Sequence, residues 1–196
     1  RRMTTRSLHE TEYFLQDEWT VNSHWMLSSG VRTNFSKAFG FMWMPKIAIK
    51  YAPDNHWALR ANYSMGYRAP SIKELFFNWD HLGMFQIKGS ENLQSEKNNY
   101  FSLGAEYSKE RFFINVNAYA NIFNKKIEGV WRIYDMQYNF EYINLKSQRM
   151  LGVEAIMKWR LTDNFMLNAT YSYVNVSKQN GIQVNTTSPH AATASI

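Results

Sequence analysis

The chain is predicted to be all-β: an antiparallel transmembrane β-barrel, of which this sequence supplies a fragment of about nine strands. Three observations lead there. Apolar and polar residues alternate with a period of two over segments that often reach ten residues or more. Several connections are short and rich in turn-forming residues, while others are long. Aromatic residues gather near the ends of the alternating segments, as they do where a barrel meets the membrane interfaces.

Residues 9–21 alternate apart from Asp17, which falls on the apolar parity. Segments 25–35 and 41–52 follow. In 56–67 the parity Leu59, Ala61, Tyr63, Met65, Tyr67 faces Arg60, Asn62, Ser64 and Gly66. Residues i and i+2 of a strand share a face, so this segment has one apolar and one polar side. Segment 98–108 is similar; 111–123 sets Phe112, Ile114, Val116, Ala118, Ala120 and Ile122 against Asn115, Asn117, Tyr119 and Asn121. In 150–161 the apolar side is Leu151, Val153, Ala155, Met157, Trp159 and Leu161, and 164–176 and 188–196 complete the set. Strands of about 9–11 residues suit a tilted bilayer crossing and exceed the soluble mean of about 5–6.

Residues 22–24, 53–55, 109–111 and 162–164 are predicted tight turns, and 36–40, 67–97, 124–140 and 177–187 are predicted longer loops. Short periplasmic turns opposite long extracellular loops are the outer-membrane pattern. The aromatics near strand ends include Trp19, Trp25, Trp43, Tyr51, Trp57, Tyr67, Tyr107, Trp159, Phe165 and Tyr173. A soluble β-sandwich or lipocalin-like barrel obeys the same parity rule and is the alternative.

Composition narrows the function classes. Mean hydropathy is -0.47, and no run of eighteen apolar residues exists, so no transmembrane helix is predicted. There is no cysteine. The net charge of +6 is scattered, with no basic block of the kind that tracks nucleic acid. The first ten residues, RRMTTRSLHE, lack the apolar region of a signal peptide, and both ends read as cut, so a partial barrel domain spanning 1–196 is expected. No nucleophile elbow, zinc-protease, P-loop or dinucleotide motif is present, and no enzyme is predicted. The histidines at 9, 24, 56, 81 and 190 have no zinc-site spacing, and no intrinsic cofactor is predicted.

The stretch 66–97, GYRAPSIKELFFNWDHLGMFQIKGSENLQSEK, interrupts the alternation. Tyr67-Arg68-Ala69-Pro70, followed by SIKELF, resembles the YRAP/FRAP motif of TonB-dependent outer-membrane receptors. GSENLQSEK at 89–97, with Asn92 and Leu93, is similar to that family's second motif, although Ser90-Glu91 stands where the motif has Asn-Pro. YFLQDEW, WMLSSGVR, NLKSQRMLGVEA and LNATYSYVNV extend the resemblance over essentially the whole chain. It implies the C-terminal part of a barrel of about 22 strands in the outer membrane of a Gram-negative bacterium. The plug domain, the segment contacting TonB and the final strands would lie outside this sequence. Outer-membrane lipid and lipopolysaccharide would surround it, and nucleic acid is not an implied partner.

A histidine between the two motifs further resembles the haemin and haemoglobin receptors. That resemblance implies haem, or a haem protein, as the transported ligand, with His81 as candidate axial ligand to haem iron. The residues themselves are compatible. Haem needs a nitrogen ligand, apolar walls and cations for its propionates. Phe76, Phe77, Trp79, Met84 and Phe85 flank His81, and Arg68, Lys73 and Lys88 lie nearby. The alternatives are an ordinary loop histidine among aromatics that pack on one another or meet lipopolysaccharide, a ferric-siderophore or cobalamin receptor, and a passive porin-like barrel. The polar parities carry Arg32, Lys46, Lys50, Arg60, Lys158 and Arg160 against Glu18, Glu106 and Glu154, which reads as a hydrated barrel wall or as a basic lumen favouring anionic cargo.

Overall fold

Alternation of this kind leaves each strand one face for water and one for lipid, and neighbouring strands must keep register for the two faces to run on across the sheet. The computed structural model describes residues 6–134, 136–177 and 188–196. Its strands are β1 (Glu10–Thr20), β2 (Trp25–Ser36), β3 (Gly40–Tyr51) and β4 (Trp57–Arg68). A short helix α1 (Ile72–Phe76) follows, then β5 (Asn78–His81), β6 (Phe85–Lys88), β7 (Glu96–Lys109), β8 (Phe112–Tyr134), β9 (Gln137–Arg160), β10 (Met166–Val176) and β11 (His190–Ser195). The sheet order is β1-β2-β3-β4-β7-β8-β9-β10-β11, with β5 paired to β6 and β6 to β9. The nine strands of the main path match the nine predicted segments, and every neighbouring pair on that path is antiparallel.

Register makes the two faces continuous. One row across the sheet reads Ala61, Leu103, Ala118, Val153, Tyr173, and the adjacent row on the other face reads Asn62, Ser102, Tyr119, Gly152, Val174. The first face is the lipid face and the second the lumen face. Lumen-face side chains pair with one another: Arg60 donates to Glu106 at 3.0 Å, Asn62 to Ser102 at 3.1 Å, Asn98 to Asn121 at 2.8 Å, and Arg32 to Glu12. Of the six cations on this face, Arg32 and Arg60 are paired with carboxylates. Asp17, the exception to parity, lies on β1, where its carboxylate accepts the Glu18 backbone N–H at 2.9 Å.

The four tight turns form as expected. Asn22 accepts the backbone N–H groups of His24 and Trp25, and Asp54 those of His56 and Trp57, each side chain closing its turn locally. Arg111 and Asp163 join two neighbouring turns at 2.8 Å. Just inside these turns runs an aromatic girdle. Trp25 lies 4.4 Å from Tyr51, Trp57 4.8 Å from Tyr107, and Phe112 6.3 Å from Tyr107 and 6.1 Å from Trp159.

The opposite end departs from expectation in three places. Residues 36–40 are not a long loop: β2 and β3 are joined by a turn of three residues, 37–39, ahead of Gly40 at φ 80. Residues 124–140 are not a loop either. Strands β8 and β9, of 23 and 24 residues, run on as one hairpin beyond the length a membrane needs. Pairing continues from Lys126↔Leu145 to Tyr134↔Gln137. The Phe140 ring covers Gly129, whose missing Cβ leaves the space for it, and Trp131 meets Phe140 at 5.1 Å. Finally, 67–97 folds into a helix and a hairpin between its two motifs. Most of the predicted loop 177–187 lies outside the described residues.

Candidate functional site

The two motifs meet at the root of the 67–97 excursion. Pro70 is fully buried, and Ser71 opens α1 with a capping box: its hydroxyl accepts the Glu74 backbone N–H, and the Glu74 carboxylate accepts the Ser71 backbone N–H. Arg68, opposite Glu96 across β4 and β7, donates to both oxygens of Glu74 at 3.0 Å and to Glu96 at 3.3 Å. Burial pushes the Glu74 carboxyl up, but the Ser71 backbone N–H and the Arg68 guanidinium outweigh it and hold the group below the usual carboxylate value.

The second motif folds back on the first. Gly89 and Ser90 donate their backbone N–H groups to the carbonyls of Phe77 and Glu74. A Cβ on Gly89 would lie 2.8 Å from the Leu75 carbonyl group, so only glycine permits this approach. Leu93 is 6% exposed and packs with Leu75 and Ile127, with Leu8, Phe39, Phe76 and Tyr142 around them. Asn144 of β9 clamps the segment: it accepts the Gln94 N–H at 2.8 Å and donates to the carbonyls of Gln94 and Lys125. Glu96 accepts the Ile127 N–H at 2.8 Å, and Ser95 donates to the Tyr67 hydroxyl at 3.2 Å. Arg68, Pro70, Leu93 and Tyr67 are thus parts of one structural knot. Ala69 lies half-buried beside it, and Asn92 is exposed.

From this knot β5 and β6 reach outward. Strand β6 docks in parallel on β9, pairing Phe85↔Tyr138, Gln86↔Asn139, Ile87↔Phe140 and Lys88↔Glu141. One face of the resulting four-stranded sheet carries Trp79, His81, Phe85, Ile87, Trp131 and Phe140. Along β9 this face follows the even-numbered parity of Glu154, Gly152 and Met150, so it continues the lumen face of the barrel. His81, half-buried at the end of β5, has the Trp79 ring at 5.0 Å and the Phe85 ring at 4.9 Å. Phe85 in turn meets Trp131 at 6.0 Å, Trp131 meets Phe140, and Phe140 meets Tyr142 at 5.3 Å. His81 begins an unbroken strip of rings.

The cations expected beside His81 are directed elsewhere. Arg68 is held by two glutamates. Lys88 lies on the opposite parity of β6, 3.5 Å from the Tyr134 hydroxyl, which itself donates to Glu141. Lys73 sits over the Phe77 ring at 5.6 Å. Three of the other histidines are distant by element: His24 and His56 occupy tight turns, and His190 in β11 bonds to the Tyr171 hydroxyl at 2.8 Å. Among the described residues no cluster of His, Cys, Asp or Glu is placed to hold a metal ion.

Comparison with known proteins agrees with this architecture. The family described as TonB dependent receptor-like, beta-barrel matches residues 2–196. An iron-regulated outer membrane virulence protein of Vibrio cholerae is 24% identical over 183 residues, covering 86% of this chain and 28% of that protein. The chain therefore spans little more than a quarter of the curated relative. The siderophore receptor PirA of Pseudomonas aeruginosa superposes with a TM-score of 0.78 at 17% identity, over 86% of this chain and 34% of that one. The ferric enterobactin receptor PfeA of Pseudomonas aeruginosa gives 0.76 at 20% identity, over 91% and 28%. The copper transporter OprC gives 0.72 at 17% identity, over 86% and 29%. With strand register, girdle and motif knot in agreement with a match along nearly its whole length, the chain belongs to the TonB-dependent receptor β-barrel family of the Gram-negative outer membrane.

Proposed function

We propose that this barrel segment belongs to an importer of an iron-bearing cargo, haem, captured on the extracellular side with His81 as nitrogen ligand to the iron. The observation that carries the reading is the strip Trp79, His81, Phe85, Trp131 and Phe140 on the face that continues the barrel lumen. A flat apolar macrocycle stacks on such rings, and an imidazole at the strip's end supplies an axial donor. The rest of the receptor would supply the plug and the contact with TonB, through which inner-membrane energy admits the cargo.

A ferric siderophore is the second reading. It is favoured by the similarity to siderophore receptors and by the engagement of Arg68 and Lys88 away from His81, which leaves propionates without an obvious partner. The same aromatic strip would then stack on the rings of a catecholate chelate. A haem titration of the full-length receptor in detergent, followed at the Soret band, separates the two. A saturable shift that weakens in His81→Ala supports haem with axial ligation. No shift in the wild type, with quenching of tryptophan fluorescence by a ferric catecholate, supports the siderophore.

A further inference from the structure

Strand β3 is paired unequally on its two sides. Against β2 it pairs along its whole length, from Tyr51↔Trp25 to Gly40↔Ser36. Against β4 the pairing covers only the half nearer the tight turn, from Tyr51↔Leu59 to Lys46↔Ser64. Strand β4 itself continues to Arg68 and stays paired with β7 throughout, as far as Arg68↔Glu96. The wall therefore divides above Lys46 and Ser64, with β3 on one lip and β4 on the other.

The alternation of the backbone supplies the reason. The Ala52 N–H donates to the His24 carbonyl in line with the β2–β3 register, so even-numbered residues of β3 direct their N–H and C=O groups to β2 and odd-numbered ones to β4. The first odd position beyond the last β3–β4 pair is Pro45, which has no N–H to give and whose ring occupies the side where a neighbouring strand would lie. On the other lip the Ser108 N–H donates to the His56 carbonyl, so even-numbered residues of β4 face β7, while Met65 and Tyr67 face β3. Among the described residues the β3–β4 ladder ends before it reaches either of them.

Freed from β3, the end of β4 leaves the wall. Glu10, Glu12 and Asn34, on the lumen face of β1 and β2, line one cavity of about 460 Å³ together with residues 67–71, so the YRAP segment crosses inward over β3. Met44, on the lumen face of β3, is buried, as is Asn34. Leu8 and Phe39 pack against the cluster around Leu75 of α1. We propose that Pro45 is a positioning residue of the receptor: by ending the β3–β4 ladder it lets the motif knot, and the β5–β6 hairpin that grows from it, lean over the lumen mouth instead of standing in the wall. The inference rests on register and is independent of the cargo.

Residue-level hydrogen exchange of the full-length receptor in detergent reads the ladder directly. In the wild type the Met65 and Tyr67 amides are expected to exchange roughly tenfold or more faster than those of Ala61 and Tyr63, which point the same way on the paired half of the strand. Pro45→Thr supplies the missing N–H and should protect Met65 and Tyr67 to the level of Tyr63. Nitroxide labels on Glu10→Cys and Lys73→Cys should then move apart by one or two strand spacings, roughly 5–10 Å, as α1 returns toward the wall. Adding Met65→Pro removes the facing donor on β4 and spares the β4–β7 ladder. The double variant P45T/M65P should therefore regain the wild-type exchange at Tyr67 and the short label distance, a recovery that loss of stability alone would not give. Tyr67 as protected as Tyr63 in the wild type, or exchange and distance unchanged in a P45T barrel of normal heat-modifiable mobility, overturns the proposal.

Discussion

Arg68 and Glu74 are joined through both carboxylate oxygens, each 3.0 Å from the same guanidinium nitrogen, and the second guanidinium nitrogen reaches Glu96. One side chain thus ties the end of β4, the start of β7 and α1 together. Glu74 and Glu96 have only 14% and 13% of their side chains exposed, so both depend on this partner. The YRAP arginine reads as an organiser of the loop root and not as a contact for cargo.

Arg68→Ala is expected to leave two poorly hydrated carboxylates facing each other. The loss should be about 1–3 kcal/mol, the range for removing a hydrogen-bonding partner from a charged, largely buried group. The barrel should still fold, because β4–β7 pairing extends over eleven further register positions to Trp57↔Tyr107. The measurable outcome is faster hydrogen exchange at Leu75 and Phe77, whose N–H groups bond within the helix and its cap, with exchange in the strands unchanged.

Gly89→Ala should open the same knot from the other side. The added methyl would meet backbone atoms of Leu75 and Glu74, which cannot rotate away as a flexible side-chain end could. Overpacking of this kind costs typically about 1–3 kcal/mol. Limited proteolysis of the receptor in detergent should show cleavage between residues 76 and 94 appearing in Gly89→Ala, with no change in strand content by circular dichroism.

Acid should loosen the knot in a defined window. Glu74 has a folded-state pKa below its ordinary value of 4.5. A carboxylate with a depressed pKa contributes stability that is fully present above the unfolded value and disappears as pH falls through the folded one. The loop should therefore be indifferent to pH near neutrality and become accessible to an acid-active protease only below about 4.5, once rates are normalised to an unstructured peptide. Glu74→Gln should remove that pH dependence.

Most of the barrel was legible because its signal is local. Leu59, Ala61 and Tyr63 share a face by period two whatever the rest of the chain does, and the register merely joins such faces. The hairpin beyond residue 124 is hidden in the sequence although Ile127, Gly129, Trp131 and Ile133 alternate against Tyr138, Phe140 and Tyr142. Adjacent lysines, a glycine and Asp135 punctuate the sequence as a loop does, while the pairing that overrides them is a tertiary property. The site suffered more. His81 stands out by its neighbours in sequence, but Trp131 and Phe140 join its strip only because β6 docks in parallel on a strand about fifty residues later, and no periodicity encodes that pairing. Asn144 was likewise invisible, because its role is to bond the backbone of Gln94 and Lys125.

The assignment of the two faces can be checked by placing one charge on each. Leu103 is 68% exposed on the lipid face, near the middle of the band between Tyr107 and Lys97. Leu103→Arg should destabilise the folded barrel by about 2–4 kcal/mol in a bilayer, the depth-dependent range for a cation at the midplane. Asn117 lies at the same depth on the lumen face, opposite Gly104 and Glu154, where water and a carboxylate receive a cation. Asn117→Arg should change stability by less than about 0.5 kcal/mol. Folding titrations into phospholipid vesicles give both numbers, and equal effects would contradict the face assignment.

The aromatic strip makes its own demand on cargo binding. Trp131 is 58% exposed and contacts Phe85 and Phe140 edge-on, so its truncation removes stacking surface without opening a core. An aromatic pair contributes about 0.5–1.5 kcal/mol beyond area burial, which corresponds to roughly a tenfold change in affinity at the upper end. Trp131→Ala should weaken either haem or a ferric catecholate by about that factor, since both would stack on the strip. His81→Ala should weaken haem and leave the catecholate within about twofold, because only haem uses the imidazole as a ligand. The two variants measured against the two cargoes form a cycle. A Trp131 effect without a His81 effect identifies a stacking platform for a chelate that brings its own iron ligands, whereas loss in both, confined to haem, identifies the imidazole as the axial ligand at the end of that platform.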